Sequence, residues 1–310
     1  MGQAMGFYTD TTVCIGCKAC QVACHQWNDL PAELATSEDT RQVAGSSPQA
    51  EPGRAPGQRT RPMTGDSYDN TGSLSAVNWR HVKFIEKSEL GAGQASYKQD
   101  DPNRDNLQWM MMSDVCKHCV NAPCLEVCPT GAIIRTEFDS VYIQEPVCNG
   151  CRDCVTACPF GVIHMSGLEN EGKGTAKKCT LCYDRLQHGL TPACAKACPT
   201  ESIQFGPIED LKVRAQQRVD ELHTMGFEQA RLYGADEKVL GGLNAFYLLM
   251  DEPEVYGLPS APKMPSRAVL PSHLWSAATA AIMAVFGAIS FRKQRMDRFA
   301  AESASREEVH

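Results

Sequence analysis

Hydrophobic and polar positions change rhythm several times along this chain. Residues 31–75 are rich in Pro, Gly, Ser, Thr and Gln with little apolar periodicity, so they read as a long surface insertion. In WRHVKFIEKSEL (79–90), Val82 and Phe84 alternate against Lys83, which predicts a strand at the start of that segment. Ala132 to Gln144 reads as a short ββ stretch and ENEGKGTAKK (169–178) as a flexible connector. From Pro207 the period becomes helical: Leu211, Ala215, Val219 and Leu222 fall on one face, and Gly226 offers a stop. LGGLNAFYLLMDEP then reads as one short buried strand, and PSAPKMPSRAVLP (259–271) as a proline-rich link.

Beyond that link, Leu274 to Phe291 (LWSAATAAIMAVFGAISF) is an uncharged stretch of 18 residues, roughly 27 Å long as a helix. Length and composition predict a single membrane-spanning segment. Trp275 marks one interface, while Arg292, Lys293, Arg295 and Arg298 crowd the other, and the many small residues allow close packing on a neighbouring membrane helix. The competing expectation, a buried helix of a soluble protein, fits poorly with its terminal place behind a proline-rich hinge. More basic residues follow the segment than immediately precede it (Lys263, Arg267), so the tail is expected in the cytoplasm and the remainder on the opposite side. The sequence shows neither a signal-peptide pattern nor a twin-arginine pair. Either the remainder stays cytoplasmic, or it is exported already folded on a partner's signal.

Cysteine changes the picture most. The 16 cysteines form four runs of four with none outside them: Cys14, Cys17, Cys20, Cys24; Cys116, Cys119, Cys124, Cys128; Cys148, Cys151, Cys154, Cys158; and Cys179, Cys182, Cys194, Cys198. The third has the C-x2-C-x2-C-x3-C-P spacing of bacterial two-cluster ferredoxins. Three thiolates separated by two residues can wrap a tight loop around one small object, whereas the fourth lies too far along the chain. Pro129, Pro159 and Pro199 follow the last cysteine of the second, third and fourth runs and push it into an extended conformation. That suits a chain leaving for a strand in PTGAII, PFGVIH and PTESIQF. His25 stands there in the first run. Paired C-x2-C knuckles also hold structural zinc, but zinc takes four ligands, not four-cysteine runs ending in CP. A disulfide framework belongs to short secreted chains richer in cysteine than about 5%. The cysteines therefore point to four [4Fe–4S] clusters and to one-electron transfer.

In two-cluster ferredoxins the fourth cysteine of each run ligates the other cluster, so runs must cooperate. The second and third runs flank the ββ stretch as one compact unit, leaving the first and fourth to pair around it. The expected ligand sets are Cys14, Cys17, Cys20 with Cys198; Cys24 with Cys179, Cys182, Cys194; Cys116, Cys119, Cys124 with Cys158; and Cys128 with Cys148, Cys151, Cys154. The expected fold is α+β, with two ferredoxin-like subdomains, one inserted in the other, plus the C-terminal helix. Residues 1–30 and 171–207 make one subdomain and 79–170 the other. Residues 31–78 are the surface insertion, 208–270 a helix–strand extension with the linker, 271–292 the transmembrane helix and 293–310 a polar cytoplasmic tail.

A net charge of −7 without any polybasic run gives no reason to expect nucleic acid. Lys117, Arg152, Lys177 and Lys178 read first as solvated surface, and second as partial offsets to thiolate charge. No residue reads as a substrate-binding acid, base or nucleophile. Among His25, His118, His164, His188 and His273, two stand out: His118 could donate to a ligand sulfur, and His273 could approach a partner's haem propionate.

Several segments together resemble the iron–sulfur β subunit of membrane-bound respiratory formate dehydrogenases. They are CIGCKACQVACHQWND, KHCVNAPCLEVCPTGAI, CNGCRDCVTACPF, KCTLCYDRLQHGLTPACAKACPT, AQQRVDELHTMGFEQARLYG and EVYGLPSAPKMP. The cysteine motifs alone fit the wider class of four-cluster subunits of dimethyl sulfoxide, nitrate and polysulfide reductases and hydrogenases; residues 207–265 and the terminal helix narrow it. The resemblance implies a non-catalytic electron-transfer subunit. Electrons come from a molybdenum- or tungsten-pterin catalytic subunit that oxidises formate and leave to a b-haem membrane subunit that reduces quinone. It further implies that the first and fourth runs face the catalytic subunit and the other two the membrane, and that export follows the partner's twin-arginine signal. Residues 31–75 exceed what the family leads one to expect. The equivalent subunit of a hydrogenase or another molybdenum reductase is the alternative, and a soluble polyferredoxin or zinc protein the third possibility.

Overall fold

The structure, a computed structural model, describes residues 3–31, 72–87, 108–166 and 174–307. The 31–75 insertion, the end of the 79–90 segment and the first half of the 169–178 connector lie largely outside the described residues. The chain forms two compact units, Met1–Lys263 and Met264–His310.

The first unit is organised by a four-stranded sheet in the order β8-β1-β10-β9. Strand β1 (Met5–Asp10) runs parallel to β10 (Ala245–Leu249), with Phe7 opposite Ala245 and Asp10 opposite Leu248. It runs antiparallel to β8 (Ile203–Pro207), and β9 (Arg231–Tyr233) is antiparallel to β10. All five residues of β10 are buried; a central strand covered on both faces needs such a continuous apolar run rather than an alternation. Helix α6 (Ile208–Thr224) packs on this sheet through Ile208, Leu211, Ala215, Val219 and Leu222, at the spacing of one helical face. Glu209 and Asp210 in its first turn complement the helix dipole. The helix stops at Gly226, which takes φ +91°.

Among the described residues, three small antiparallel pairs accompany this sheet. Strands β2 (Arg80–Lys87) and β3 (Gln108–Val115) pair from Arg80 opposite Val115 to Lys87 opposite Gln108. β4 (Ile133–Arg135) and β5 (Val141–Ile143) pair within the expected ββ stretch. β6 (His164–Met165) pairs with β7 (Ala176–Lys177). That last pair corrects the connector: Ala176 is buried and hydrogen-bonded in register, so strand structure resumes inside 169–178. The alternation in β2 is also only half of what is found. Arg80, His81 and Val82 are all buried, because helix α1 (Ala19–Trp27) covers the start of the strand while β3 flanks it.

The second unit is one helix, α7 (Pro265–Glu307). Proline is well placed in a first helical turn, so helix replaces the proline-rich link from Pro265 onward. Good helix formers carry it through the polar segment beyond Phe291. His273–Phe299 is long and apolar enough to cross a membrane. Its apolar side chains are exposed, Trp275 at 74% and Phe286 at 68%, which is unlike the core helix of a soluble protein.

Candidate iron–sulfur centres

Each cysteine run folds as a loop that turns into a short helix, and the turn is made with left-handed backbone. Lys18 (φ 60°) precedes α1, and Arg152 (φ 70°) precedes α3 (Asp153–Ala157). Leu181 (φ 60°) and Cys182 (φ 50°) precede α4 (Tyr183–Gln187), while His118 takes φ 45° between Cys116 and Cys119. L-residues rarely hold such angles, and each costs about 1–3 kcal/mol. Their recurrence at all four loops shows backbone curled to gather cysteines.

Gly16 (φ +66°) and Gly150 (φ +76°) hold the same place in CIGC and CNGC. A Cβ added at Gly150 would lie 2.5 Å from the backbone oxygen of Gly174, which cannot yield cheaply. Gly150→Ala is therefore expected to displace the third loop and cost about 1–3 kcal/mol in denaturant unfolding. Gly189→Ala (φ +68°, nothing within 4 Å of the added carbon) should cost less and isolates the clash from the strain.

Helices bring the runs together in two pairs. α1 packs against α5 (Ala193–Lys196), joining the first run to the fourth, and α2 (Pro123–Glu126) packs against α3, joining the second to the third. Cys14, Cys17, Cys20 and Cys198 line one recess. Cys128, Cys148, Cys151 and Cys154 line another. The remaining eight are seen through their mutual electrostatics. Burial, then the charges of Cys179, Cys194 and Cys182, push the Cys24 thiol far above its ordinary range. Burial, then Cys116, Cys124 and Cys158, do the same to Cys119. Neighbouring sets also feel one another: Cys20 feels Cys194, Cys179 feels Cys116, and Cys124 feels Cys154. Only Cys17 and Cys151 are exposed; the other cysteines are buried or half-buried.

The sulfurs have partners of their own. Cys20 Sγ lies 3.2 Å from Ser113 Oγ, and Leu181 N donates to Cys179 Sγ at 3.4 Å. Thr130 and Thr200, each two residues past the last cysteine of a C-P-T turn, place Oγ1 at 3.7 Å from Cys128 and 3.9 Å from Cys198. The third run has Phe160 at that position and lacks the hydroxyl.

Burial dominates the thiols' acidity. It pushes Cys20, Cys154 and Cys182 up to about 11, and Cys124 and Cys179 up to about 12. Cys128 goes the other way: its slight burial is outweighed by backbone and hydroxyl donors from Ile133 and Thr130. Thiols this buried keep their protons unless positive charge replaces them, so metal loading must displace protons and contribute to folding. Among the described residues, no three or more Cys, His, Asp or Glu form a group suited to one metal ion. Tetrahedral zinc at 2.3 Å would need sulfurs about 3.8 Å apart; cysteines spread around a recess fit a core of several atoms.

Two of the four basic residues are not the solvated surface expected of them. Lys117 and Lys178 are buried. Lys117 Nζ binds Asp114, the carbonyl of Val115 at 2.7 Å and Tyr247 Oη at 3.1 Å. Lys178 Nζ donates to the carbonyls of Val141 and, at 2.9 Å, Cys179. Arg152 is exposed, and half-buried Lys177 pairs with Glu145 at 2.5 Å. His118 is fully buried and its Nδ1 accepts from Val141 N at 3.1 Å, which puts a neutral ring's proton on Nε2. That Nε2 meets no protein acceptor. His25 and His188 meet backbone carbonyls (Pro31, Asp184), His164 buries an unpaired Nε2, and His273 is exposed on α7. Arg80 and Ser113 are not singled out by the sequence, since nothing local distinguishes an arginine in a strand from a surface one.

Comparison with known proteins places this geometry. A family described as a 4Fe-4S dicluster domain matches residues 107–208, and another of the same description matches residues 13–132. The chain is 36% identical over 259 residues to the "Formate dehydrogenase iron-sulfur subunit" of Haemophilus influenzae, covering 82% of this chain and 68% of that one. It is 34% identical over 287 residues to the "Formate dehydrogenase, nitrate-inducible, iron-sulfur subunit" of Escherichia coli, covering 91% and 82%. To a polypeptide of the anaerobic dimethyl sulfoxide reductase of Escherichia coli it is 31% identical over 213 residues, covering 67% and 75%. Fold and cysteines together thus define a mixed α/β protein with two [4Fe–4S] dicluster domains and one C-terminal helix able to span a membrane. Within that class the protein belongs to the formate dehydrogenase iron–sulfur subunits, which transfer electrons and are not themselves catalytic.

Proposed function

We propose that the chain carries single electrons through four [4Fe–4S] clusters within a formate dehydrogenase. Cys14, Cys17, Cys20 and Cys198 would hold the first cluster. Cys24, Cys179, Cys182 and Cys194 would hold the second; Cys116, Cys119, Cys124 and Cys158 the third; Cys128, Cys148, Cys151 and Cys154 the fourth. Each bound cluster supplies a reversible one-electron couple. The observation carrying this reading is single file: electrostatic coupling of Cys20 with Cys194, Cys179 with Cys116 and Cys124 with Cys154 strings the sets in one order, and the recesses of the first and fourth sets stand apart as its two ends. The exposed cysteines belong only to the two end sets. The protein's own work is to bury the inner thiolates from water, orient sulfurs of the end sets with Ser113, Thr130 and Thr200, and leave an opening at each end. Residues 1–30 with 171–207 form one subdomain around the inserted 79–170.

Exposed Ile15 stands beside Cys17 and exposed Val147 near Cys151, apolar surface suited to partner chains at both ends. By family likeness the first end meets a molybdenum- or tungsten-pterin subunit and the other a membrane subunit with b-haem. The likeness to a dimethyl sulfoxide reductase polypeptide supports a second reading, the equivalent subunit of another molybdenum reductase. Formate-dependent quinone reduction by the purified complex, against turnover of another substrate, separates the two. Anaerobic purification should give about sixteen iron and sixteen sulfide atoms per chain; a content well below that overturns the four-cluster reading.

The basic residues that follow Phe291 (Arg292, Lys293, Arg295, Arg298) support a cytoplasmic tail with the cluster-bearing unit on the periplasmic side. Truncation before Met264 is expected to release the chain from membranes depleted of its partners. Protease added to sealed right-side-out vesicles should reach residues 1–263 and spare the tail; the reverse pattern inverts the topology.

A further inference from the structure

Arg80, the first residue of β2, is 1% exposed. Its Nη1 donates to Ser113 Oγ at 3.0 Å, and that oxygen lies 3.2 Å from Cys20 Sγ. The guanidinium carbon sits 4.9 Å from the centroid of the Phe7 ring. Nε and Nη2 are buried and meet no hydrogen-bond acceptor among the described residues. The charges that act on Arg80 most strongly are those of Cys194, Cys20 and Cys179, followed by Tyr247, with no carboxylate among them. In return Arg80 eases the ionisation of Cys20, Cys24, Cys179 and Cys182.

A guanidinium cannot shed its proton, and a buried charge with unmet donors is strongly unfavourable unless an anion faces it. Among the described residues, the strongest anions facing it are thiolates of two different sets, together with whatever those thiolates bind. The other buried cations among the described residues differ: Lys117 is matched by Asp114, Lys178 gives its donors to backbone carbonyls, and Arg185 donates to the Thr191 carbonyl and lies over the Trp27 ring. Of these four, Arg80 is the one that faces thiolates of two sets with buried donors left over.

We propose that Arg80 is a shared tuning residue: it raises the reduction potentials of both clusters held by the first and fourth cysteine runs and leaves those of the second and third runs largely untouched. The inference rests on the ligand sets proposed above. Adding an electron makes a cluster more negative, so a fixed cation in a poorly polarisable surrounding stabilises the reduced form. Ser113 passes part of this influence to Cys20 alone, which gives the first set an increment that the second lacks. An electron on either cluster draws on the same cation, so removing that charge lowers both steps together.

The test uses the full complex carrying Arg80→Met, Arg80→Lys or Ser113→Ala, titrated potentiometrically with cluster spectra and iron content followed together. Arg80→Met is expected to lower two potentials, those of the clusters whose spectra respond to Cys198→Ser and Cys24→Ser. Arg80→Lys should recover most of the loss, and Ser113→Ala should lower the first set's potential alone. Unmoved potentials in Arg80→Met, or an equal shift of all four, overturn the proposal. If Arg80→Met does not assemble, Arg80→Gln, which stays polar but carries no charge, decides, and unmoved potentials there overturn it. With four clusters present, such a failure removes only the tuning role; a parent complex lacking them removes the ligand sets and the tuning role together.

Discussion

Replacing Cys198 with serine is expected to remove, or shift strongly, the one cluster whose other ligands come from the opposite end of the cysteine region. Cys198 lies in a recess with Cys14, Cys17 and Cys20, and α5 just before it packs against α1 of the first run. Its own run-mates Cys179, Cys194 and Cys182 instead act electrostatically on Cys24. A serine oxygen is a harder ligand than thiolate and suits an iron–sulfur core poorly. Iron should fall by about four per chain if that cluster is lost, while the spectrum of the cluster on Cys179, Cys182 and Cys194 persists. Ligation within each run predicts the opposite pattern, with the fourth run's cluster affected and the first run's intact. Anaerobic iron analysis with low-temperature paramagnetic resonance separates the two outcomes, and the opposite pattern would discard the crossed pairing.

How much of this was legible in the chain depends on how local each signal is. Cysteine spacing, the face of α6, the ββ stretch and the apolar helix are all set by residues within a few turns of one another, and the structure contains each of those elements. Long-range neighbours are another matter. MGFYTD carries no local sign that β1 sits between β8 and β10, whose partners lie at the far end of the first unit. Burial of Lys117, Lys178 and Arg80 was equally hidden, because a lone basic residue beside polar neighbours looks like surface until the strands that cover it are placed. The left-handed residues were half visible: glycine in CIGC and CNGC hints at them, whereas Lys18, His118 and Arg152 do not. The cytoplasmic or periplasmic placement depends on how a membrane reads the charges near the end of α7 rather than on packing within the chain, and residues 32–71 fall outside the described residues.

Removing the charge of Asp114 is the second change with a large expected effect. Its side chain is 6% exposed and accepts from Lys83 at 2.9 Å, from Val115 N at 2.9 Å and from Lys117. Burial alone would raise its pKa, but Lys117 and Lys83 hold the carboxyl well below the usual carboxylate range. Lys117, whose side chain is wholly buried, is held charged against its own burial chiefly by Asp114. Its ammonium also lies 4.8 Å from the Tyr247 ring centroid, which ties the end of β3 to the middle of β10. Asp114→Asn keeps the shape and leaves that ammonium without a counter-charge. Breaking such a buried pair from one side costs about 3–5 kcal/mol. Lys83 is 28% exposed, so Lys83→Met should cost only about 0–1 kcal/mol, as partly solvated pairs do. The double change Asp114→Asn with Lys117→Met should recover much of the loss, because it takes the stranded charge away. Denaturant unfolding of the anaerobic holoprotein reads all three. Since Lys117 lies inside the second run, between Cys116 and Cys119, the single asparagine variant should also lose iron there before the rest of the fold opens. Equal stability of the Asp114→Asn and Lys83→Met variants would show that the buried pair does not anchor this corner.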